Sequence, residues 1–335
     1  MKVLLIRFGA IGDLVLTTPV LRCLKKKFPD AALHFVLLRE HRAVLEPNPH
    51  LAQLHFYERG HAFASSLRNL GFDHVVDLQN DEASRVLTRE MGVEPLRVNT
   101  HHWEHRLFTS LRWNLLPKEH QADRNLDTVS PLGVVNDGEG LDFFIPHEAE
   151  VPMHDIPAAQ QLGYLALVIG ASKHTKRLPV AQLKTLCARI GHPIILLGGP
   201  EDAARGEEIR QADDIKIYNA CGKFSLHESA DLLRRAKLVI THDTGLMHIA
   251  AALKKPIIAL WGSTVPEQGM TPYYGSRFLA RDPSPSVGFG VKLWCRPCTR
   301  TGRDKCPLGH FKCMKQQDLE AIARAAEERL WKRAD

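Results

Sequence analysis

The sequence predicts an α/β protein built from two parallel β-sheets. Short apolar runs alternate with stretches of helical periodicity along almost the whole chain, which is typical of parallel strands joined by crossover helices. The predicted strands are Val3–Phe8, Leu33–Leu38, Gln53–Phe56, His74–Leu78 and Leu96–Val98 in the first half, and Tyr164–Ile169, Pro193–Leu197, Ile215–Tyr218, Leu238–Thr241 and Ile257–Trp261 in the second. Each half therefore supplies its own sheet.

A proline-bearing stretch separates the two halves. Residues 143–163 contain Pro146, Pro152 and Pro157 and show no sustained period. The predicted organisation is a first domain over residues 1–150, a linker over 151–163, a second domain over 164–316 and a closing segment over 317–335. The closing segment is predicted to be an amphipathic helix, because its apolar residues recur at helical spacing. These residues are Leu319, Ile322, Ala323, Ala326 and Leu330.

The 335 residues have an ordinary globular composition. Hydrophobic residues make up 44% and charged residues 24%, so each half can bury a core. Lys and Arg (44) exceed Asp and Glu (38), which gives a formal charge of +6 and suits anionic ligands. The densest basic run, Lys25–Lys27, is interpreted as the exposed end of a helix, and no basic run interleaved with aromatics favours nucleic-acid binding.

Several features favour a cytoplasmic protein. The apolar start of the chain is interrupted by Arg7 and Asp13 before it reaches the length of a signal-peptide core. No uncharged apolar stretch approaches the roughly 18 residues of a membrane span. The seven cysteines are an odd number, with four crowded between 295 and 313, and do not resemble a disulfide framework. We therefore expect reduced thiols.

The first predicted strand leads into a glycine-bearing turn. Arg7-Phe-Gly-Ala-Ile-Gly12-Asp13 joins this strand to a helix, where backbone N–H groups can meet a ligand. Val15 stands where the dinucleotide fingerprint needs a third glycine, which argues against NAD. Asp13 is either the N-cap of the helix or a general base at the carboxyl edge of the sheet.

Two neighbouring strand ends in the second half carry small and hydroxylated residues. Asp243-Thr-Gly245 leads into a predicted helix, so the N–H groups and the positive dipole end of that helix can meet a phosphate. Gly262-Ser-Thr264 follows the next strand, where open α/β sheets bind ligands. His248, one turn into the helix, either faces this pocket or packs in the core.

Two further loops follow strands of the second half. The loop from Gly170 through Ser172 to Lys176 brings a cation that can neutralise phosphate charge, unless the loop is simply solvated. Glu201 and Asp202 come after the second strand. Their carboxylates can accept hydrogen bonds from ribose hydroxyls or, alternatively, form the acidic first turn of a helix.

Together these motifs resemble the ADP-heptose:lipopolysaccharide heptosyltransferases of glycosyltransferase family 9. The resemblance runs from residue 1 to the final helix, and its most specific part is the Asp-Thr-Gly-x-x-His block at 243–248. It is also carried by Gly9–Asp13 with Pro19, Lys176-Arg-Leu-Pro179, Gly198-Gly-Pro200, Pro256 and Gly262–Pro266. The resemblance implies a GT-B fold, in which two Rossmann-like domains face a central cleft. The first domain would hold the acceptor and the second the nucleotide-sugar.

The resemblance also implies roles for individual residues. Asp13 would be the catalytic base. The nucleotide-sugar would be bound by Gly12, Ser172, Lys176, Glu201, Asp202, Asp243, Thr244, Gly245, His248 and Thr264. Two positions depart from the family pattern, since Ile169 replaces a common Pro and Leu178 a common Trp. The sequence has no Asp-x-Asp motif, and no metal or other cofactor is expected to be required.

The cysteine-rich end resembles that of the subfamily that adds the second inner-core heptose. Its residues are Cys295, Cys298, Cys306, His310 and Cys313. This likeness favours a heptose over a Kdo acceptor. Four thiols, or three with the histidine, can hold a tetrahedral zinc ion, although the second pair lacks the close spacing of a zinc ribbon. Loop packing and an oxidation-sensitive cluster are the alternatives.

The leading hypothesis is an inverting transfer of heptose from ADP-heptose to the lipopolysaccharide inner core, onto a first heptose. The alternatives are a same-fold glycosyltransferase with another nucleotide-sugar or acceptor, and a non-catalytic nucleotide-binding protein. The expected partners are the nucleotide-sugar and an acidic glycolipid, with peripheral contact to the cytoplasmic face of the inner membrane. Arg68, Arg97 and Arg106 are candidates for holding that acidic acceptor.

Overall fold

The computed structural model describes residues 1–331 and contains two parallel sheets, each in its own compact unit. Unit 1 comprises Met1–His101, Glu119–Phe144 and Tyr273–Phe278. Unit 2 comprises His102–Lys118, Ile145–Pro272 and the chain from Leu279 onwards. Segment 102–118 thus leaves the first unit and packs with the second. Residues 332–335, at the end of the predicted closing segment, lie outside the described residues.

The sheet of unit 1 has five strands in the order β3-β2-β1-β4-β5, and each pair is parallel. The strands are β1 Lys2–Ile6, β2 Ala32–Leu37, β3 Leu51–Phe56, β4 His74–Asp77 and β5 Leu96–Arg97. The central strand is hydrophobic on both faces, because Val3 through Ile6 are fully buried. All five predicted strands are confirmed, with ends that shift by one or two residues.

The sheet of unit 2 has six strands in the order β11-β10-β9-β6-β7-β8, again with parallel pairs. The strands are β6 Leu165–Val168, β7 Ile194–Leu197, β8 Ile217–Asn219, β9 Leu238–His242, β10 Ile257–Trp261 and β11 Ser286–Gly290. Five of them confirm the prediction. The edge strand β11 was not predicted, because two glycines and a serine interrupt its apolar pattern.

The helices lie mostly between successive strands, as crossover connections require. They are α1 Ile11–Val15, α2 Thr18–Lys27, α3 His61–Asn69, α4 Glu82–Met91, α5 His102–Leu111, α6 Gln121–Asp127, α7 Ala158–Gln161, α8 Val180–Arg189, α9 Ala203–Arg210, α10 Leu226–Arg235, α11 Gly245–Ala252, α12 Ser276–Leu279, α13 Lys312–Lys315 and α14 Leu319–Trp331. In the described part of the chain, no helix is both long and apolar enough to cross a bilayer.

Two predictions about helices are confirmed. Lys25–Lys27 forms the last turn of α2, where cations interact favourably with the negative end of the helix dipole. The closing helix is α14, which buries Ile322, Ala326 and Leu330 and packs against α8. The helix therefore completes the core of unit 2.

The proline-bearing stretch before β6 forms short turns rather than regular structure. It contains the 3-10 turns His147–Ala149 and Met153–Asp155 and the short helix α7. The backbone N–H of Val151 donates a hydrogen bond to Asp231 at 2.9 Å. This contact anchors the stretch to unit 2.

Candidate functional site

Three of the predicted binding residues converge in unit 2. The Nζ of Lys176 lies 2.8 Å from Oδ2 of Asp243 and donates a hydrogen bond to the Asp243 carbonyl at 3.2 Å. The Oγ1 of Thr264 donates to the same carboxylate oxygen at 2.8 Å. The three side chains therefore form one ion-paired and hydrogen-bonded cluster, which we call the Lys176 cluster.

The order of the strands explains this convergence. Strands β6, β9 and β10 are neighbours in the sheet, and the Lys176 cluster comes from the loops that follow them. Because parallel strands all end at the same edge of a sheet, these three loops meet there. Ligands of open α/β sheets bind at this edge.

Helix α11 begins beside the Lys176 cluster. Its N-cap residue, Thr244, has an extended backbone and makes no capping hydrogen bond with its side chain. The first N–H groups of a helix carry a partial positive charge that attracts phosphates. Asp243 would repel such an anion, but its charge is balanced by the Lys176 ammonium. His248 lies in α11 and is buried, as are Asp243 and Thr264.

The loop that carries Lys176 is held tightly against the end of β10. The buried Oγ1 of Thr175 lies 2.9 Å from Ser263 Oγ and accepts a hydrogen bond from the Arg303 N–H at 2.8 Å. A Cβ added to Gly262 would lie 2.5 Å from the Thr175 carbonyl oxygen, so only glycine allows this approach. Sequence analysis missed Thr175, because nothing in its local pattern marks it.

His242 anchors the same loop from the other side. It is the last residue of β9, and its Nε2 accepts a hydrogen bond from the Leu178 N–H at 2.9 Å. Complete burial lowers the pKa of His242 to about 3, so the ring is neutral at physiological pH. Leu178, which stands where the family commonly has Trp, is fully buried. His242 was not predicted, since a strand-terminal histidine carries no distinctive signal.

The two predicted ribose carboxylates, those of Glu201 and Asp202, have different environments in the structure. Asp202 is buried, and its Oδ1 lies 3.0 Å from Arg205 Nη1 and 3.6 Å from Arg177 Nη1. Glu201 is exposed after β7, as is Ser172 after β6. Asp202 is therefore committed to an internal ion-pair network, whereas the Glu201 carboxylate is accessible.

Asp13 lies in unit 1, in the turn after β1. The N-cap alternative for Asp13 is wrong, because the N-cap of α1 is Ala10 and Asp13 is the third helical residue. Its Oδ2 accepts a hydrogen bond from the Ala10 N–H at 3.2 Å, and its Oδ1 lies 2.9 Å from Arg7 Nη2. The side chain remains 27% exposed. The carboxylate is thus oriented by two groups and still accessible to a ligand.

The turn around Asp13 depends on two close contacts. The other Arg7 nitrogen, Nη1, donates to the Leu78 carbonyl at 2.8 Å, just beyond β4. A Cβ on Gly9 would collide with the ring of His41, so a larger residue here would require that ring to move. Gly12 is buried inside α1. These contacts place the turn at the carboxyl edge of the first sheet.

The arginines predicted to hold an acidic acceptor have different environments. Arg68 Nε donates to the Met91 carbonyl at 2.7 Å and joins α3 to α4. Arg97 pairs with Asp77 and Glu94 beside a cavity of about 680 Å³ in unit 1. The cavity is lined by Asn80, Arg85, Arg89, Gly92, Val93, Glu94 and Arg97. Arg106 belongs to unit 2 and is exposed.

The cysteine-rich segment packs beside the end of β10. Arg296 donates hydrogen bonds to the carbonyls of Thr264 at 2.9 Å and Trp261 at 3.1 Å. The Sγ of Cys295 lies 3.7 Å from His310 Nε2. Among residues 1–331, no three His, Cys, Asp or Glu side chains are grouped so as to hold a metal ion. All seven cysteines are free thiols, and the thiols at 295 and 313 are buried.

Solved structures share this architecture. The glycosyl transferase family 9 protein of Veillonella parvula superposes with a TM-score of 0.75 at 22% identity, covering 99% of this chain and 97% of that one. Escherichia coli ADP-heptose lps heptosyltransferase II gives a TM-score of 0.72 at 19% identity, with both chains fully covered. The predicted GT-B fold class is therefore confirmed.

The family is established by sequence. Residues 60–285 match the model of glycosyltransferase family 9 (heptosyltransferase), which is more than half of the chain. The chain belongs to this family and is a glycosyltransferase. It is 26% identical over 275 residues to lipopolysaccharide heptosyltransferase 3 of Escherichia coli, covering 76% of this chain and 81% of that protein. It is 39% identical over 102 residues to lipooligosaccharide heptosyltransferase 2 of Haemophilus influenzae, an alignment that spans 29% of this chain and only 30% of that protein.

Proposed function

We propose that this glycosyltransferase moves heptose from ADP-heptose to the inner core of lipopolysaccharide, onto a first heptose, with inversion at the anomeric carbon. The observation that carries the proposal is the Lys176 cluster at the start of α11, in a chain of the heptosyltransferase family. The relatives named as heptosyltransferases of lipopolysaccharide or lipooligosaccharide support this substrate class.

The donor diphosphate binds at the Lys176 cluster in this proposal. Negative charge grows on the diphosphate as its bond to the anomeric carbon breaks. The Lys176 ammonium and the first N–H groups of α11 stabilise that charge in a partly desolvated setting. Asp243 and Thr264 hold the ammonium in place and need not touch the donor themselves. This arrangement supplies hydrogen-bond donors and the partial positive charge of the helix start from the protein's own groups.

The adenosine ribose of the donor binds Glu201 rather than Asp202. Ribose hydroxyls need an accessible acceptor, and the Glu201 carboxylate is exposed. The Asp202 side chain is almost completely buried and its Oδ1 is already paired with two arginines, so it is less accessible to a ribose than Glu201. We therefore assign Asp202 to positioning of the loop that contains Arg177.

Asp13 acts as the general base in this mechanism. One carboxylate oxygen takes the proton of the acceptor hydroxyl while the hydroxyl oxygen forms a bond to the anomeric carbon. The bond from that carbon to the diphosphate oxygen breaks on the opposite face, and ADP leaves with the electron pair. Arg7 and the Ala10 N–H orient the carboxylate for this transfer.

The acceptor in this proposal is an acidic glycolipid, so the enzyme works at the cytoplasmic face of the inner membrane without a membrane-spanning helix of its own among the described residues. The net positive charge of the chain suits such a surface, since anionic lipids attract basic proteins. Membrane contact would bring the enzyme to its anchored substrate.

Transfer from ADP-heptose to two truncated cores tests the proposal. One core ends in Kdo and the other in a single heptose, and Asp13→Asn is the control. We expect product on the single-heptose core alone, and transfer at least about 100-fold slower with the variant. Product on the Kdo core would contradict the acceptor assignment. No product on either core, with ADP still bound, would refute this donor and acceptor pair.

A further inference from the structure

Three of the five tryptophans are strongly exposed on neighbouring segments of unit 2. Trp103, Trp113 and Trp294 are 73%, 62% and 78% exposed. Of the other two, Trp261 is 2% exposed and Trp331, at the end of α14, is 65% exposed. The indole ring is large and mostly apolar, so exposing three of them together is costly unless another surface covers them.

Helix α5 turns an apolar stripe away from the core of unit 2. Trp103, Leu107 and Leu111 follow one another at four-residue spacing and so lie on one side of the helix. Trp103 and Leu111 are exposed, whereas His105 and Phe108 are the buried residues of α5. The buried side already anchors α5, which leaves the stripe for contacts outside unit 2.

The chain after α5 joins this stripe to Trp294. The Nε of Arg112 donates a hydrogen bond to the Trp294 carbonyl at 3.2 Å. Phe108, Lys292 and Trp294 line one cavity of about 570 Å³. Trp113 and Leu115 are exposed within the same stretch. We call α5, residues 112–118 and residues 292–294 the aromatic surface.

Basic residues flank the indoles of the aromatic surface. Arg106, Lys118 and Lys292 are exposed, and Arg112 is half-buried. Glu104, also half-buried, is the acidic residue of these segments. The aromatic surface therefore combines large apolar side chains with a net positive charge.

We propose that the aromatic surface docks on the headgroup region of an anionic lipid bilayer. Tryptophan prefers the interface between headgroups and acyl chains, where its apolar ring and its N–H group are both satisfied. The leucine side chains insert into the acyl region below the tryptophans, and the basic side chains attract anionic headgroups. The cores of protein interfaces, by contrast, are depleted in lysine. This docking site rests on the proposed function, because that function supplies the membrane-anchored acceptor.

Vesicle flotation of the full chain tests this surface. The vesicles are phosphatidylcholine alone or mixed with phosphatidylglycerol, and the variants are the triple substitution Trp103→Ser, Trp113→Ser, Trp294→Ser and the matched control Trp331→Ser. We expect wild type and control to float with anionic vesicles, and less so as salt is raised. The triple variant should bind at least about tenfold more weakly, because the indoles supply most of the buried apolar area.

The charge component is tested separately. Arg106→Ala and Lys292→Ala should each weaken binding to anionic vesicles about fivefold and leave binding to neutral vesicles unchanged. Equal loss on both vesicle types would contradict a role for anionic headgroups. ADP binding and circular dichroism establish that each variant is folded.

Three outcomes would overturn the proposal. Wild type that fails to bind anionic vesicles excludes a bilayer as the occupant. A triple variant that binds like wild type excludes the aromatic surface. Self-association of wild type that disappears in the triple variant assigns the surface to a second copy of the chain. Transfer of heptose to a delipidated core oligosaccharide measures the proposed function without a bilayer, and the triple variant should retain this activity. Loss of vesicle binding with transfer intact, or loss of transfer in wild type, therefore distinguishes a failure of the docking proposal from a failure of the proposed function.

Discussion

The ammonium group of Lys176 lies 2.8 Å from the carboxylate of Asp243, 67 residues further along the chain. Both side chains are mostly buried, so their attraction is only partly screened by water. The carboxylate also accepts the Thr264 hydroxyl. Lys176 therefore reaches the start of α11 as part of a rigid group rather than as a mobile surface lysine.

Replacing this lysine should weaken nucleotide binding. Lys176→Met should raise the Kd for ADP about 10- to 100-fold, because a charge-assisted hydrogen bond contributes about 1.5–3 kcal/mol. Isothermal titration calorimetry measures the effect. Lys173→Met is the matched control, since Lys173 lies in the same loop but pairs with Asp304 on the exposed side. An unchanged Kd for Lys176→Met would contradict the assignment.

A double-mutant cycle tests whether Lys176 and Asp243 act as one unit. Asp243→Asn should also weaken ADP binding, because it frees the ammonium from its position. The double variant should lose less affinity than the sum of the two single losses. Strictly additive losses would show that the two residues act independently.

Asp13→Asn should reduce kcat by about 10²–10⁴-fold while leaving the Kd for ADP unchanged. The amide keeps the shape of the side chain but cannot take the acceptor proton. Steady-state kinetics and ADP titration measure the two quantities. Asp81→Asn is the control, since Asp81 caps α4 in the same unit and asparagine caps equally well. Parallel loss of turnover and ADP binding would indicate a structural role for Asp13.

The two acidic residues after β7 should respond differently. Glu201→Gln should weaken ADP binding and leave the unfolding free energy unchanged, because this side chain is exposed. Asp202→Asn should lower the unfolding free energy by about 1.5–3 kcal/mol, since Arg205 loses a charged hydrogen-bond partner and Arg177 loses an ion-pair partner. Urea denaturation and calorimetry separate the effects. Weaker ADP binding with Asp202→Asn and unchanged ADP binding with Glu201→Gln would identify Asp202 as the ribose carboxylate.

Acid should destabilise unit 2 through His242. Its pKa is about 3 in the folded chain and near 6.5 when unfolded, so only the unfolded chain takes up a proton as the pH falls below 6.5. The contribution of neutral His242 to the free energy of unfolding is complete above pH 6.5. It is lost as the pH falls toward 3, by at most about 1.4 kcal/mol per pH unit.

Urea unfolding at pH 7, 6 and 5 measures this dependence. His242→Gln should flatten it, because the amide oxygen can accept the Leu178 N–H without titrating. The exposed His154 offers a control, and His154→Gln should leave the dependence as in wild type. Equal slopes in both variants would show that another group causes the acid sensitivity.

Chelation should leave transfer activity intact. In the proposed mechanism the Lys176 ammonium, although paired with Asp243, donates to the leaving diphosphate, and the start of α11 adds partial positive charge, so we expect the same rate before and after dialysis against EDTA. Elemental analysis of both samples determines whether the segment Cys295–Cys313 carries a metal. Activity that falls with a lost metal and returns on its addition would contradict this prediction.

Much of the fold could be predicted because the relevant signals are local. Apolar periodicity and turn residues marked ten of the eleven strands found among residues 1–331. The edge strand β11 was not predicted, because its stability comes from pairing with β10 rather than from an apolar pattern of its own residues. The assignment of segment 102–118 to unit 2 likewise depends on tertiary contacts, such as that of Arg112 with Trp294.

The sequence by itself determined the positions of the site motifs, because each lies at the end of a recognisable strand. Only the tertiary structure decided what their side chains do. It showed that Asp13 is not the N-cap of α1, that Asp202 is an internal ion-pair partner, and that Lys176 is held by Asp243. The physical reason is that burial and pairing arise between segments distant in the chain, and no local pattern records which carboxylate will be enclosed and which will stay in reach of a ligand.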